Sequence, residues 1–177
     1  MGSEMCIRDR YGTGQVFLIP YEKVGTVYQG GAVKFPLDFP TGTMRARFHP
    51  RDGQLYICGL FGWSSNKTRP GGFYRVRYTG QPAHMPVEYH VASNGISLKF
   101  SEPLDRATAI NPGNYALQQW NYRWTKNYGS AHYSVADPKK TGQDDVRVSS
   151  ATLLPDNKTV FLAVSYTHLT LPTIYSV

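Results

Sequence analysis

The sequence lacks the features that would indicate a membrane-spanning or helical protein. No apolar run approaches the ~20 residues that a helix needs to cross a bilayer, and no stretch of about twelve residues keeps a helical period. Instead, short runs rich in Val, Tyr, Phe and Ile are separated by turn residues, among them 17 glycines and 12 prolines. Such interrupted runs are typical of β-strands. We therefore predict an all-β fold without a membrane span.

Cysteine is scarce, since Cys6 and Cys58 are the two in the chain. Neither belongs to a Cys-x-x-Cys or Cys-x-x-Cys-His pattern, so the chain offers no c-type haem attachment and no cysteine pair with metal-ligand spacing. Cys58 ends the apolar run Leu-Tyr-Ile-Cys, where a lone cysteine usually serves as a small buried hydrophobic residue.

The sequence also lacks a catalytic or metal-binding motif. It contains no Gly-x-Ser-x-Gly, no His-Glu-x-x-His and no phosphate-cradling loop. Asp144 and Asp145 are adjacent, so in a strand they would point to opposite faces and could not form an acid–base pair. The four histidines between residues 11 and 163 also lack metal-ligand spacing: His49, His84, His90 and His132. We expect no catalytic residue, no bound cofactor and no metal in this chain.

Acidic residues are few, which leaves a formal net charge of +7. A basic balance can indicate nucleic acid as a partner, but such binding needs a basic stripe or a recognisable motif. Here the basic residues are scattered along the sequence, and the closest cluster is Arg45, Arg47 and Arg51. We interpret the charge as a solvated face and expect no nucleic-acid partner.

Alternation and turn chemistry locate the strands. Asn94-Gly95 predicts a two-residue hairpin because these residues adopt the positive φ angles that such a turn needs. Arg51–Gly53 and Pro155–Asn157 predict two further turns. The predicted strands are Gln15–Ile19, Thr26–Tyr28, Met44–Phe48, Leu55–Gly59, Gly72–Tyr78, Val87–Ala92, Ile96–Phe100, Tyr115–Trp124, Val146–Leu154 and Thr159–Ala163.

Both ends of the chain resemble foreign sequence. Met-Gly-Ser-Glu-Met-Cys-Ile-Arg-Asp-Arg at residues 1–10 resembles a translation of the Nextera transposase adaptor, and Val-Ser-Tyr-Thr-His-Leu-Thr-Leu-Pro-Thr at residues 164–173 resembles the complementary adaptor. We expect residues 1–10 and 164–177 to be adaptor-derived and non-native, so Cys58 has no native disulfide partner. Residues 1–10 should pack loosely, whereas the alternation that begins at Val164 should extend the last strand by a few residues, until Pro172 at the latest.

Residues 11–80 resemble part of a β-propeller. The turn Asp52-Gly53-Gln54-Leu55-Tyr56, followed later by Phe73-Tyr74-Arg75-Val76, is similar to the blades of bacterial sorbosone dehydrogenase-like and quinoprotein propellers. The length allows one to two blades, while propellers have at least four. This segment is therefore expected to be the C-terminal part of a propeller, and Gly80–Pro82 is expected to be a linker.

Residues 81–163 resemble a bacterial Ig-like domain. The run Phe100-Ser-Glu-Pro-Leu-Asp105 and the following Asn111-Pro-Gly-Asn-Tyr115 match the strand-and-turn of such surface domains. The expected fold is a truncated Ig-like β-sandwich after the partial propeller. The combination resembles large secreted multidomain proteins of planctomycetes and verrucomicrobia whose relatives are membrane-bound dehydrogenases with c-type cytochrome modules.

That resemblance implies an extracytoplasmic parent linked to sugar or alcohol oxidation, of the sorbosone or glucose dehydrogenase-like kind. Haem c or pyrroloquinoline quinone would belong to the parent. The partners of this chain would be the remaining blades and the cytochrome module, and the chain itself is expected to be non-catalytic. In an alternative interpretation it contributes to a quinone-cofactor site.

The loop from Leu60 to Pro70 is long for a blade connection and combines aromatic, amide and basic side chains, as ligand-facing loops do. Candidate ligand contacts here and on the preceding hairpin are Arg47, His49, Trp63 and Arg69. The alternative is that Trp63 and Phe61 pack the loop against a neighbouring blade, which we favour.

A second aromatic set follows the Ig-like motif: Trp120, Tyr122, Trp124 and Tyr128. Their period-2 spacing places them on one face of a predicted strand. Such a face either packs in the sandwich core, which is the commoner case, or forms a platform on which sugars stack. The platform would make the chain a carbohydrate-binding β module.

Overall fold

The computed structural model describes residues 4–61, 66–126 and 129–164, and for residues 4–11 it describes the backbone alone. Within these ranges the chain is mostly strand, in several small antiparallel sheets of which none closes into a barrel. This confirms the all-β prediction, while the propeller and Ig-like assignments remain predictions. No helix in the described part of the chain is long and apolar enough to span a membrane.

The strands, in chain order, are β1 (Glu4–Arg10), β2 (Gln15–Val24), β3 (Val27–Gly30), β4 (Val33–Lys34), β5 (Gly42–Phe48), β6 (Leu55–Leu60), β7 (Gly71–Val76), β8 (Pro86–Ala92), β9 (Gly95–Phe100), β10 (Leu117–Gln119), β11 (Asp144–Val146), β12 (Val148–Leu153) and β13 (Thr159–Val164). Helix α1 spans Arg106–Ala109. The chain divides into two compact units, Met1–Tyr89 and His90–Val177, and the division falls inside β8. The expected linker Gly80–Pro82 lies between β7 and β8, which belong to different sheets.

The first unit contains two antiparallel sheets. One has the order β1-β2-β3, with β4 also paired to β2, and the other has the order β5-β6-β7. Its core is formed by alternating residues of β2 and β6, among which Val16 and Ile57 are fully buried. Phe39, from the segment between β4 and β5, also packs in this core. The Thr43 hydroxyl, on β5, donates to the Gln15 carbonyl and so ties the two sheets together (3.2 Å).

Strand β1 departs from the expectation that residues 1–10 pack loosely. Its backbone pairs with β2 over seven residues, from Glu4 opposite Tyr21 to Arg10 opposite Gln15. The physical reason is that ladder hydrogen bonds join backbone groups alone, so an open strand edge accepts an extended segment whatever its side chains are. The pairing therefore does not bear on the origin of this segment.

The second unit has a four-stranded sheet with the order β12-β13-β9-β8 and a separate two-stranded sheet, β10-β11. Val160 and Leu162 of β13 are fully buried and form the centre of its core. Ala109 of α1 and Leu117 of β10 pack against the same cluster. One face of the larger sheet is therefore covered by short elements that follow β9 in the sequence.

Helix α1 is stabilised by hydrogen bonds from neighbouring residues, because a helix of four residues is too short to be stable alone. Asp105 caps its start, where the carboxylate accepts from the N–H and the hydroxyl of Thr108 (2.8 and 2.7 Å). At its other end the Tyr115 hydroxyl donates to the Ala109 carbonyl (2.7 Å). Burial raises the pKa of Tyr115.

The glycine of the predicted Asn94-Gly95 hairpin has a different role from the one we expected. The loop residues are Ser93 and Asn94, Gly95 already belongs to β9, and neither Asn94 nor Gly95 has a positive φ. A Cβ atom at Gly95 would instead lie 2.4 Å from the Leu162 carbonyl oxygen and 2.4 Å from the Phe161 ring. Glycine is required here because β13 passes very close to it. The turn at Pro155–Asn157 forms as predicted, with Asn157 at a φ of 56°.

Several predicted strands need correction. β2 continues to Val24 instead of ending at Ile19, and the predicted strand Val146–Leu154 is divided between β11 and β12, which belong to different sheets. The predicted strand Tyr115–Trp124 is reduced to β10, since the chain after Gln119 leaves the sheet. The predicted extension of the last strand begins as expected, since β13 continues for one residue beyond Ala163, and Val164 is buried. Residues 165–177, which include the rest of the predicted extension, lie outside the described residues.

Candidate functional site

Two of the four candidate ligand contacts lie close together, at the hairpin that joins β5 to β6. Arg47 of β5 is directly opposite Tyr56 of β6. His49 follows β5, and its ring centroid lies 5.6 Å from that of Tyr56. Asp52 in the turn approaches His49 Nδ1 at 3.2 Å and accepts from the Tyr56 hydroxyl at 3.0 Å. The hairpin therefore fixes the imidazole and the phenol around one carboxylate.

Arg69 lies at the opposite end of the same sheet. It precedes Gly71, which pairs with Leu60 at the far end of β6, and its own N–H donates to the Pro40 carbonyl (3.3 Å). At about 3.3 Å per strand residue, the length of β6 separates it from the His49 hairpin by about 16 Å or more. Trp63 lies outside the described residues. The described candidates therefore do not converge on one ligand.

The aromatic residues after β10 are at the surface rather than in the core. The exposed fraction is 44% for Trp120, 51% for Tyr122 and 85% for Trp124. The favoured interpretation as sandwich core was therefore wrong for these three, and Tyr128 lies outside the described residues. Aromatic residues have high strand propensity, but that propensity reflects the packing that surrounds them and does not itself bury them.

An isolated antiparallel bridge organises this surface. Asn121 and Tyr133 exchange both backbone hydrogen bonds (2.7 and 2.8 Å). Because side chains alternate on either side of such a bridge, Trp120, Tyr122 and His132 share one side. The Trp120 indole stacks on the His132 imidazole, with centroids 4.6 Å apart and 25° between the ring planes. We call Trp120, Tyr122, Trp124 and His132 the indole surface.

The other side of the bridge supports it. The Arg123 guanidinium lies over the Tyr133 ring, 4.0 Å from its centroid, and donates to the Pro138 carbonyl. The His132 ring is itself positioned by Gln143, whose Nε2 lies 2.8 Å from His132 Nδ1. The bridge and the Gln143 side chain thus fix the position of the stacked Trp120–His132 pair. The backbone around Trp124 is irregular.

Among the described residues, three of the four carboxylates with a lowered pKa serve their own turns or caps, and the fourth, Asp144 of β11, binds the N–H groups of Val135 and Ala136. The Gln54 N–H, together with Tyr56 and His49, holds the pKa of Asp52 below its usual value. The Ala136 N–H does the same for Asp144, with further hydrogen bonds from Ser134 and Val135. The remaining two carboxylates with a lowered pKa are Asp105, bound by Thr108, and Asp156, bound by Thr159 and Lys158. A carboxylate engaged by local N–H and O–H donors is a structural acceptor and a poor general base.

The adjacent carboxylates Asp144 and Asp145 point to different sides of β11, as predicted from strand alternation. Asp144 accepts from the N–H groups of Val135 and Ala136, while Asp145 accepts from the Gln118 side chain across the two-stranded sheet. In the described ranges no three His, Cys, Asp or Glu side chains come close enough together to hold a metal ion.

No family model, no curated protein and no solved structure matches this chain. What the chain does must therefore be inferred from its own residues.

Proposed function

We propose that this chain is a non-catalytic β module that binds carbohydrate through the indole surface. The observation that carries the proposal is the Trp120 indole, which stacks on His132 at the surface while the residue stays 44% exposed to solvent. Trp124, four residues further along, is 85% exposed. Two exposed indoles four residues apart on an otherwise polar stretch favour a binding surface over a structural role.

The chemistry of an indole suits a sugar ring. Its π face carries partial negative charge and attracts the weakly positive C–H groups that line one face of a pyranose, while its apolar area is removed from water. The stack on His132 restricts the rotation of Trp120 before any ligand arrives, so less side-chain entropy is lost on binding. Gln143, which contacts His132, and the Tyr122 hydroxyl supply polar groups nearby for sugar hydroxyls.

The wider assignment rests on the sequence resemblance. We propose that residues 11–80 form the C-terminal blade or blades of a propeller and residues 81–163 an Ig-like sandwich, in an extracytoplasmic parent linked to sugar or alcohol oxidation. The β5-β6-β7 meander is consistent with part of a blade. Haem c or pyrroloquinoline quinone would be held elsewhere in that parent, whose remaining blades and cytochrome module would be the partners of this chain.

A quinone-cofactor site within this chain has less support. Pyrroloquinoline quinone carries several carboxylates, so a site for it needs basic side chains that converge. Arg47 and His49 lie at one end of the β5-β6-β7 sheet and Arg69 at the other. These three candidates therefore do not converge on one cofactor, and carbohydrate binding is the function that the geometry favours.

Binding to neutral oligosaccharides tests the proposal. The full chain would be titrated with β-1,4-linked glucose, xylose and mannose oligomers, followed by calorimetry and by tryptophan fluorescence. Saturable binding is expected for one of these series, and Trp120→Ala should weaken it at least tenfold. Tyr78→Ala is the matched control, because Tyr78 is also highly exposed (78%) but lies in the first unit.

Two outcomes would contradict the proposal. One is the absence of saturable binding to any neutral series at millimolar concentration. The other is binding that Trp120→Ala leaves unchanged while Tyr78→Ala weakens it, which would move the sugar site to the first unit.

A further inference from the structure

The outer face of the β5-β6-β7 sheet brings together three arginines from two different strands. In the observed register Arg47 is opposite Tyr56, and Tyr56 is opposite Arg75, so these three side chains form one row across the sheet. The neighbouring row on the same face consists of Arg45, Cys58 and Phe73. We call these six residues the arginine–aromatic face.

The two rows present a regular pattern of positive charge. Residues two apart along a strand are about 6.6 Å apart, which separates Arg45 from Arg47. Two strand spacings, about 9.6 Å, separate Arg47 from Arg75. All three arginines are exposed. The three arginines therefore leave the sheet from backbone positions whose spacings a single extended chain could span.

Among the side chains that the structure describes, these three arginines form no ion pair. The guanidinium groups of Arg45 and Arg47 donate to their neighbouring backbone carbonyls, of Met44 and Ala46 (2.7 and 2.8 Å). The ion pairs described elsewhere in the chain involve His49 with Asp52 and Lys67 with Asp38. Asp52, at the edge of the face, is already engaged by Gln54, Tyr56 and His49.

Phe73 provides an open apolar surface between these charges. Its side chain is 72% exposed, although it lies in a sheet row with two neighbours. Its ring centroid is 5.7 Å from that of Tyr56, which packs against His49 on its other flank. The face thus combines one open aromatic ring with three planar donors, while its amide and hydroxyl content is limited to the Tyr56 phenol.

The charge limits what can cover this face. A wholly apolar partner packed on Phe73 would bury three guanidinium groups without compensation, which is strongly unfavourable. A partner must therefore supply anionic oxygens. Guanidinium groups bind carboxylates and sulfates with two parallel hydrogen bonds each.

We propose that the arginine–aromatic face binds an acidic polysaccharide, with its carboxylate or sulfate groups on the arginines and a sugar ring on Phe73. This is a second site, in the other unit, and it does not depend on the indole surface. Single-stranded nucleic acid is the other linear polyanion that arginine and aromatic residues recognise, but it stacks successive bases on several open rings. On this face the Tyr56 ring is flanked by His49 and Phe73, which leaves Phe73 as its one widely exposed ring.

The test uses the full chain carrying Trp120→Ala, so that a failure of the indole surface cannot affect the result. The probes are an oligogalacturonate of about ten sugars, the same oligomer with its carboxylates methyl-esterified, and a thymidine oligonucleotide of similar charge. Calorimetry should give saturable binding of the oligogalacturonate that weakens steeply as salt increases. The esterified oligomer should bind at least tenfold more weakly, because it keeps the sugar rings and lacks the charge.

Single substitutions assign the binding to this face. Arg47→Gln and Arg75→Gln should each weaken oligogalacturonate binding about tenfold, and Phe73→Ala should weaken it severalfold. Arg106→Gln is the matched control, since it removes the same charge from an exposed residue of α1 and should change affinity less than twofold. Cys58, on the same face, gives an independent measurement: bound oligogalacturonate should slow its alkylation, followed by mass spectrometry of the Cys58 peptide.

Three results would overturn the proposal. The first is equal binding of the charged and esterified oligomers, and the second is equal loss of affinity in Arg75→Gln and Arg106→Gln. The third is tighter binding of the oligonucleotide with the same dependence on Arg47 and Arg75, which would assign the face to single-stranded nucleic acid.

Discussion

At the scale of single residues, the close approach at Gly95 has a measurable effect. We expect Gly95→Ala to destabilise the second unit by about 1–3 kcal/mol, because the new Cβ would lie 2.4 Å from the Leu162 carbonyl oxygen and the strand would have to move. Gly31→Ala is the control, since its Cβ would meet its nearest neighbour, Tyr89, at 3.9 Å. Urea unfolding of both variants is the measurement. Equal stability of the two would show that β13 does not approach Gly95 this closely.

The Asp156 carboxylate makes the last turn sensitive to acid. Its pKa is lowered from 3.8, chiefly by the Thr159 hydroxyl and then by the N–H groups of Lys158 and Thr159. A lowered folded-state pKa means that the stabilisation is present above pH 3.8 and is lost as the pH falls through the folded value. Asp156→Asn should therefore make the melting temperature fall less steeply between about pH 4 and pH 2. Parallel curves for Asp156→Asn and the unsubstituted chain would contradict this.

At the scale of elements, β13 and the stretch after β10 differ in what they bury. Leu162 is fully buried, so Leu162→Ala should destabilise by about 2–5 kcal/mol. Trp120 is 44% exposed, so Trp120→Ala should cost about 1 kcal/mol or less, well below the ~3–5 kcal/mol typical of a core aromatic residue. Chemical denaturation measures both. A larger loss of unfolding free energy for Trp120→Ala than for Leu162→Ala would show that Trp120 packs in the core.

The sequence predicts the strands better than it predicts how they pair. Alternation located β6, β9 and β13 to within about a residue or two, because each has one buried face and a period of two. It failed after Gln119, where the aromatic residues that indicated a strand are exposed. It also missed α1, although Asp105 three residues before Thr108 is a recognisable cap.

The arginine–aromatic face shows why a site can be invisible in a sequence. Arg47 and Arg75 are far apart along the chain, and they become neighbours only because both pair with Tyr56. In the sequence, the closest basic cluster is Arg45, Arg47 and Arg51, which we interpreted as a solvated face. Alternation shows which face of a strand a residue occupies, but it does not show which strand lies beside it. The sequence likewise could not predict whether Trp120 is buried or exposed, because period-2 spacing is found both on a core face and on an exposed platform.

At the scale of the whole molecule, the two units have separate hydrophobic cores with no residue in common. Ile57→Ala should therefore destabilise the first unit and Leu162→Ala the second, each by about 2–5 kcal/mol. Hydrogen exchange resolved by peptide would show faster exchange in the substituted unit and unchanged protection in the other. Faster exchange in both units from either substitution would mean that they unfold as one cooperative body.

Strand β7 lies at the edge of its sheet, and its exposed residues include Arg75 and, just beyond its end, Arg77. An edge strand carries backbone groups that can pair with a second copy of the chain, and charge of one sign on that edge opposes such self-association. Arg75, which would attract an acidic ligand, therefore also acts against fibril nucleation. Because salt screens this repulsion, light scattering should increase with ionic strength, and it should increase further when Arg75 is replaced by glutamine.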